Sequence, residues 1–159
     1  TKLVEEPIGA HIPGWPTWSP DCSKIAFMTH RNNNWEIYTM NANGSNQVNI
    51  TNNLSLDQQP RWSPSGNKIA FMTDRDTPGQ AGQFNLYLVN PDGTGIERLT
   101  DFSGGEFDLS WSSDSNRVAF TRETSIGAPL QIYKMNIDKS GLVQLTTEGQ
   151  NRFPAWRPR

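Results

Sequence analysis

Apolar runs of five or six residues, separated by polar turns, fill this chain, and no segment of useful length carries a helical period. Lys24-Ile25-Ala26-Phe27-Met28-Thr29 reads as a strand. Trp35-Glu36-Ile37-Tyr38-Thr39-Met40 reads as another, alternating apolar and polar at period two. Ser19-Pro20-Asp21-Cys22-Ser23 between Trp18 and the first of these is turn chemistry, because Pro presets φ and Asp bonds the backbone ahead of it. Asn43-Gly44 predicts a hairpin, since both residues tolerate positive φ, and Val48-Asn49-Ile50-Thr51 predicts a short outer strand.

The same order of elements returns. Ile69 to Thr73 and Val118 to Thr121 match the first strand, and Asn85 to Asn90 and Gln131 to Asn136 match the second. Asp92-Gly93 repeats the hairpin turn, and Ser140-Gly141 takes its place in the third unit. Ahead of each unit stands a tryptophan: Trp18, Trp62 and Trp111, then Trp156, at spacings of 44, 49 and 45 residues. A period in the forties, with a tryptophan and a turn in each unit, predicts an all-β fold, a β-propeller of four-stranded antiparallel blades. The four tryptophans recur at one position and are expected to pack between neighbouring sheets, because one blade cannot bury both its faces alone.

With strands labelled A to D from the inside outward, three blades are expected, over about 14–51, 59–100 and 108–146, with partial strands at 2–5 and 153–157. Propellers close with about 4–8 blades. Three blades are therefore half of a six-bladed ring completed by a second copy, or part of a longer propeller, and the extra partial strands favour the second. The chain opens on Thr1 rather than Met, which fits processing, trimming or a partial sequence.

The 159 residues suit one domain, and a formal net charge of −2 offers no bulk attraction to nucleic acid or an anionic membrane. No stretch approaches the length of a membrane-spanning helix. Cys22 is the single cysteine and forms no internal disulfide. A Gly-x-Ser-x-Gly elbow and a phosphate-binding glycine loop are both absent, and His11 and His30 without cysteine partners make a poor zinc site. The expectation is a protein without catalytic residues, bound metal or cofactor.

Candidate binding residues follow from the layout. The B–C loops (30–34, 74–84, 122–129) and D–A loops (52–59, 101–108, 147–152) vary in length and emerge at one end, where a rigid scaffold usually carries function. By alternation, Thr17, Arg61, Ser110 and Ala155, each just before a tryptophan, point toward the channel. Arg61 pairs a partner's carboxylate, or it is a solvated arginine, or it makes a local ion pair with Asp57. Asp57, Glu106 and Asp108, placed in D–A loops, receive a basic partner, hold Ca²⁺ or are plain loop residues. Arg31 and Arg75 recur at matching places, which suits a tie between a B–C loop and its neighbour. Trp35, with Phe84 near the matching place, is expected to be partly buried, and Trp15 is either packing or an exposed anchor.

The units Pro-x-Trp-Ser-Pro-(Asp/Ser)-x-x-Lys-Ile-Ala-Phe, Asn-x-(Asn/Asp)-Gly and (Ile/Leu)-Thr resemble the WD40-like Pro-Asp repeats of TolB-type propellers over nearly the whole chain. The resemblance implies a six-bladed ring, a periplasmic or extracellular setting, and a loop face that accepts a protein or peptide. Related repeats form the accessory propeller of prolyl oligopeptidase-like enzymes. A glycan is a third possible ligand, suggested by Trp15 and Trp35. The family turn usually has Gly where this chain has Cys22 and Ser115, so those two turns are expected to differ in backbone conformation.

Overall fold

Every residue of the central strands Ile69–Thr73 and Asn85–Val89 is buried, which a sheet achieves only when both its faces are covered. This computed structural model describes residues 14–77 and 83–156. Twelve strands form three four-stranded antiparallel sheets, each in simple up-and-down order. The first holds β1 (Gly14–Trp18), β2 (Lys24–Thr29), β3 (Glu36–Asn41) and β4 (Val48–Asn49). The second holds β5 (Asp57–Trp62), β6 (Ile69–Thr73), β7 (Asn85–Val89) and β8 (Glu97–Arg98). The third holds β9 (Gly105–Trp111), β10 (Arg117–Glu123), β11 (Gln131–Asn136) and β12 (Val143–Gln144). The inner strands β1, β5 and β9 touch in sequence, while the two-residue outer strands contact only their own sheets. The sheets therefore radiate as three blades. The expected strand at 2–5 lies outside the described residues.

The apolar core sits between blades. Ala26, Met28 and Ile37 of the first blade meet Ile69, Phe71, Tyr87 and Val89 of the second. Ala70, Met72, Leu86 and Leu88 meet Val118, Phe120, Tyr133 and Met135 of the third. The alternation expected of β3 does not separate core from solvent: Glu36 and Thr39 are as buried as Ile37 and Tyr38, Thr39 on the face that meets the second blade and Glu36 accepting from Thr51 and Asn53.

Outer residues report which faces have neighbours. Ile50 and Leu99 are both 3% exposed, each against the next blade, whereas the matching Leu145 is 51% exposed. At the other end Ile25, Phe27, Tyr38 and Met40 of the first blade form a buried cluster of their own. The tryptophans divide in the same way. Trp62 and Trp111 are buried, Trp156 is half-buried, and Trp18 is 53% exposed rather than packed between sheets as expected.

Turn geometry corrects two expectations. Cys22 (φ 59°) and Ser115 (φ 60°) hold the same left-handed conformation as Gly66 (φ 76°), so the turns do not differ, and two non-glycine residues carry the strain. Each C–D hairpin has two left-handed residues, Gly44 and Asn46, Gly93 and Gly95, and Lys139 and Gly141, so Asp138-Lys139 takes the place of Asn43-Gly44 and Asp92-Gly93, and Gly141 follows two residues on. Asn43, Asp92 and Asp138 do not themselves take positive φ; each side chain accepts from the backbone N–H two residues on.

Exchanging the A–B turn residues tests this account. Cys22 is exposed and φ there suits glycine, so Cys22→Gly is expected to be neutral or to stabilise by up to about 1 kcal/mol. At Gly66 an added Cβ would sit 3.2 Å from Pro20 of the first blade and adopt a disfavoured φ, so Gly66→Ala should destabilise by about 1–2 kcal/mol. Urea unfolding of both variants checks the two signs; a destabilised Cys22→Gly would contradict the strain.

Candidate functional site

Each inner strand carries an irregularity that the sequence did not announce. Trp15 (φ 53°), Gln59 (φ 51°), Asp108 (φ 54°) and Phe153 (φ 56°) all have left-handed backbones, and each lies three residues before a repeat tryptophan. The ladder register shifts at the same point in all three blades, between Gly14 and Thr17, between Gln58 and Arg61, and opposite Ala119 and Thr121. These are β-bulges, which bend a strand and re-aim its side chains. Trp15 thus belongs to the repeat, at the bulge position.

The bulge lets inner strands run on past the point where the sequence suggests loops. β5 and β9 begin at Asp57 and Gly105, so Asp57, Glu106 and Asp108 stand in strands and not in D–A loops. The expected blade starts at 59 and 108 fall inside these strands. A fourth inner segment docks in the same way. Asp57, Glu106 and Asn151 donate their backbone N–H groups to Trp35, Phe84 and Leu130 of the preceding blade. Trp111 and Trp156 donate Nε1–H to the carbonyls of Arg61 and Ser110. Residues 151–156 thus sit as the inner strand of a further blade, although they join no ladder.

Two buried carboxylates lie at these junctions. Asp57 is 0% exposed and pairs with Arg75 at 3.1 Å, not with Arg61. Burial pushes its proton affinity up, opposed by hydrogen bonding from Thr73 and by the charge of Arg75. Arg75 also lies over the Phe71 and Tyr87 rings, as Arg31 lies over Phe27 and Tyr38, so each arginine fastens the start of its B–C loop to its own blade. Glu106 is also 0% exposed. It accepts from Thr100 Oγ1 at 3.0 Å, and its Oε1 has no hydrogen-bond partner, with Arg122 Nε 3.8 Å away. Burial pushes Glu106 up to about 8, against the weaker pull of Thr100 and Arg122.

Asp108 belongs to a different surface. Its carboxylate lies 3.3 Å from Arg152 Nε, and Arg152 lies over the Phe153 ring. Arg61, Asp108, Ser110, Phe153 and Pro154 line a cleft of about 360 Å³ across the inner strands. Arg61 stacks on Trp15, with its guanidinium carbon 5.3 Å from the ring centroid. Burial lowers the proton affinity of Arg61, and the charge of Asp108 opposes this. Thr17 and Ser110 are half-buried, in keeping with a position on the inner wall. The structure thus gathers Trp15, Arg61, Asp108 and Ser110 along one row and sends Asp57 and Glu106 into the blade junctions. Phe153 and Arg152 complete the row; the position of Phe153 three residues before Trp156 was the available signal. Trp35 and Phe84 are partly buried against the two inter-blade cores, and His30 stands edge-on to Trp35.

Among the described residues no group of three or more His, Cys, Asp or Glu side chains is placed to hold a metal ion, and no helix is long and apolar enough to cross a membrane. His11 lies outside the described residues.

Radiating four-stranded up-and-down sheets with inner strands in contact define a partial β-propeller of three blades. Residues 8–81 match the family model described as the TolB beta propeller domain, and the chain is TolB-like in fold. A protein assigned as TolB from Agrobacterium tumefaciens superposes with a TM-score of 0.77 at 21% identity, over 89% of this chain and 50% of that one. TolB from Acinetobacter baumannii gives 0.70 at 24% identity, over 84% of this chain and 32% of that one. A puromycin hydrolase gives 0.68 at 14% identity, over 87% of this chain and 22% of that one. The chain therefore spans half or less of the length of these structures. No curated protein sequence matches it.

Proposed function

We propose that this chain is a non-catalytic binding module that presents its inner-strand row and the B–C and D–A loops to a protein or peptide partner, outside the cytoplasm. The observation that carries the reading is the left-handed residue three positions before each repeat tryptophan, which makes a bulge in all three inner strands. Phe153, 67% exposed, shares one cleft with Arg61 and Asp108, and Trp15, 41% exposed, stacks on the Arg61 guanidinium. Exposed aromatics beside a charge on a rigid scaffold suit recognition of another chain. The three blades built from β1 to β12 form the scaffold. The exposed Leu145 face suits a further blade continuing the ring. The buried Ile25–Phe27–Tyr38–Met40 cluster weighs against a second copy seating on the first blade.

A photo-crosslinking residue at Phe153, with a control at Val48 on the outer strand, tests the site against an extracytoplasmic extract of the source cells. Crosslinking to a defined protein from position 153 and not from 48 is the expected result. Equal labelling from both positions, or none, would sink the proposal. A second reading, the substrate-gating propeller of a larger peptidase, draws on the likeness to puromycin hydrolase. It predicts that position 153 crosslinks to a hydrolase domain of the same polypeptide. Glycan binding, which the exposed Trp15 also suits, predicts no protein adduct at all.

A further inference from the structure

Arg61 differs from the other described arginines in the company it keeps. Arg75, Arg98, Arg117, Arg122 and Arg152 each have a carboxylate oxygen within 4.0 Å, and Arg31 bonds Gln47. Arg61 has no such partner among the described residues. Its one hydrogen bond runs from Nη1 to the carbonyl of Pro60, 3.1 Å away. A guanidinium carries five N–H donors in a planar fork. Most of that fork is unspent in a half-buried side chain, and it opens on the cleft. Partial burial without a hydrogen-bonded counter-ion is costly, and it is relieved when a ligand brings acceptors into the fork.

The surroundings fix the fork. Trp15 supports one face of the guanidinium, and its bulge geometry holds that ring in place. Asp108 shares the cleft, but it is drawn toward Arg152 at 3.3 Å and leaves Arg61 to its own devices beyond hydrogen-bond reach. Across the cleft, Phe153 offers an exposed ring beside Pro154. A ligand that fills this space needs a planar anionic group for Arg61 and an apolar side chain for Phe153 and Pro154. An acidic residue next to an apolar one, in an extended peptide, supplies both, because successive side chains point to opposite walls.

Resting on the binding reading above, we propose that Arg61, supported by Trp15, is a carboxylate-specific anchor for an acidic peptide whose neighbouring apolar side chain packs on Phe153.

The test uses two pools of fluorescein-labelled, N-acetylated, C-amidated hexapeptides with Leu, Phe or Trp flanking a central Asp or Glu, or the isosteric Asn or Gln. Anisotropy titrations on the full chain should give at least tenfold tighter binding of the acidic pool. Arg61→Gln should remove that preference and Arg61→Lys should restore only part of it, with thermal midpoints unchanged. A C-terminal free-acid version of the amide pool shows whether a terminal carboxylate serves as well. Equal binding of acidic and amide pools would overturn the anchor and leave the peptide reading standing. Sodium propionate, followed by the Arg61 Nε–H resonance in NMR, separates the two further. A saturable shift without binding of any pool keeps the anion site and rejects the peptide. No shift and no binding rejects both.

Discussion

Replacing Trp111 with alanine is expected to destabilise the chain by about 3–5 kcal/mol, whereas the same change at Trp18 should cost less than about 1 kcal/mol. The two side chains occupy the same place in the first and third repeats. Trp111 is 8% exposed, packs in the core between the second and third blades, and donates Nε1–H to the carbonyl of Arg61. Its removal opens a large cavity and leaves that carbonyl without its donor. Trp18 is 53% exposed and has little burial to lose. Urea unfolding of the two variants at matched slopes reads the difference directly. Equal costs at the two positions would mean that Trp18 is buried against something and that the first blade's inner edge is misassigned.

That contrast also marks what sequence reading could reach. The period of the tryptophans, the turn residues and the apolar strands were enough for the blades and their order. Exposure at Trp18 and Leu145 was not legible, because it depends on which blade stands next door and not on the residue or its local pattern. The bulges were hidden for a related reason. A single left-handed residue at Trp15, Gln59, Asp108 or Phe153 has no compositional sign, since none of these is glycine. Missing the bulge moved Asp57 and Glu106 into loops, where carboxylates look available to a partner. With the strands extended through it, both turn inward to the junctions. The ion pair with Asp57, one of the alternatives for Arg61, is made by Arg75. Which arginine reaches Asp57 is decided by ladder register: Asp57 stands opposite Thr73, two residues from Arg75.

Glu106 is expected to make the stability of the chain fall as pH rises, and Glu106→Gln to remove that fall. In the fold its proton is held up to about 8, well above the 4.5 of a free glutamate, with burial as the main cause. The native state therefore binds the proton more tightly than the unfolded chain does. Its contribution is fully present below about 4.5 and is lost as pH rises through about 8. Each tenfold change in proton affinity corresponds to about 1.4 kcal/mol, so the loss across this window is about 5 kcal/mol. Glutamine keeps an oxygen for Thr100 Oγ1 and carries no charge at any pH. Asp57 is shifted the same way and Asp21 and Asp114 the opposite way, so the wild-type curve alone mixes several groups. The difference between wild type and Glu106→Gln cancels them. It should be small at pH 4 and should favour the glutamine variant increasingly toward pH 9. A flat difference would mean that Arg122, 3.8 Å away, holds Glu106 ionised throughout, so that a true ion pair spans the two strands. The unpartnered Oε1 of Glu106 and Nε of Arg122 argue for the neutral acid, because a buried ion pair would draw these two atoms into hydrogen-bond contact.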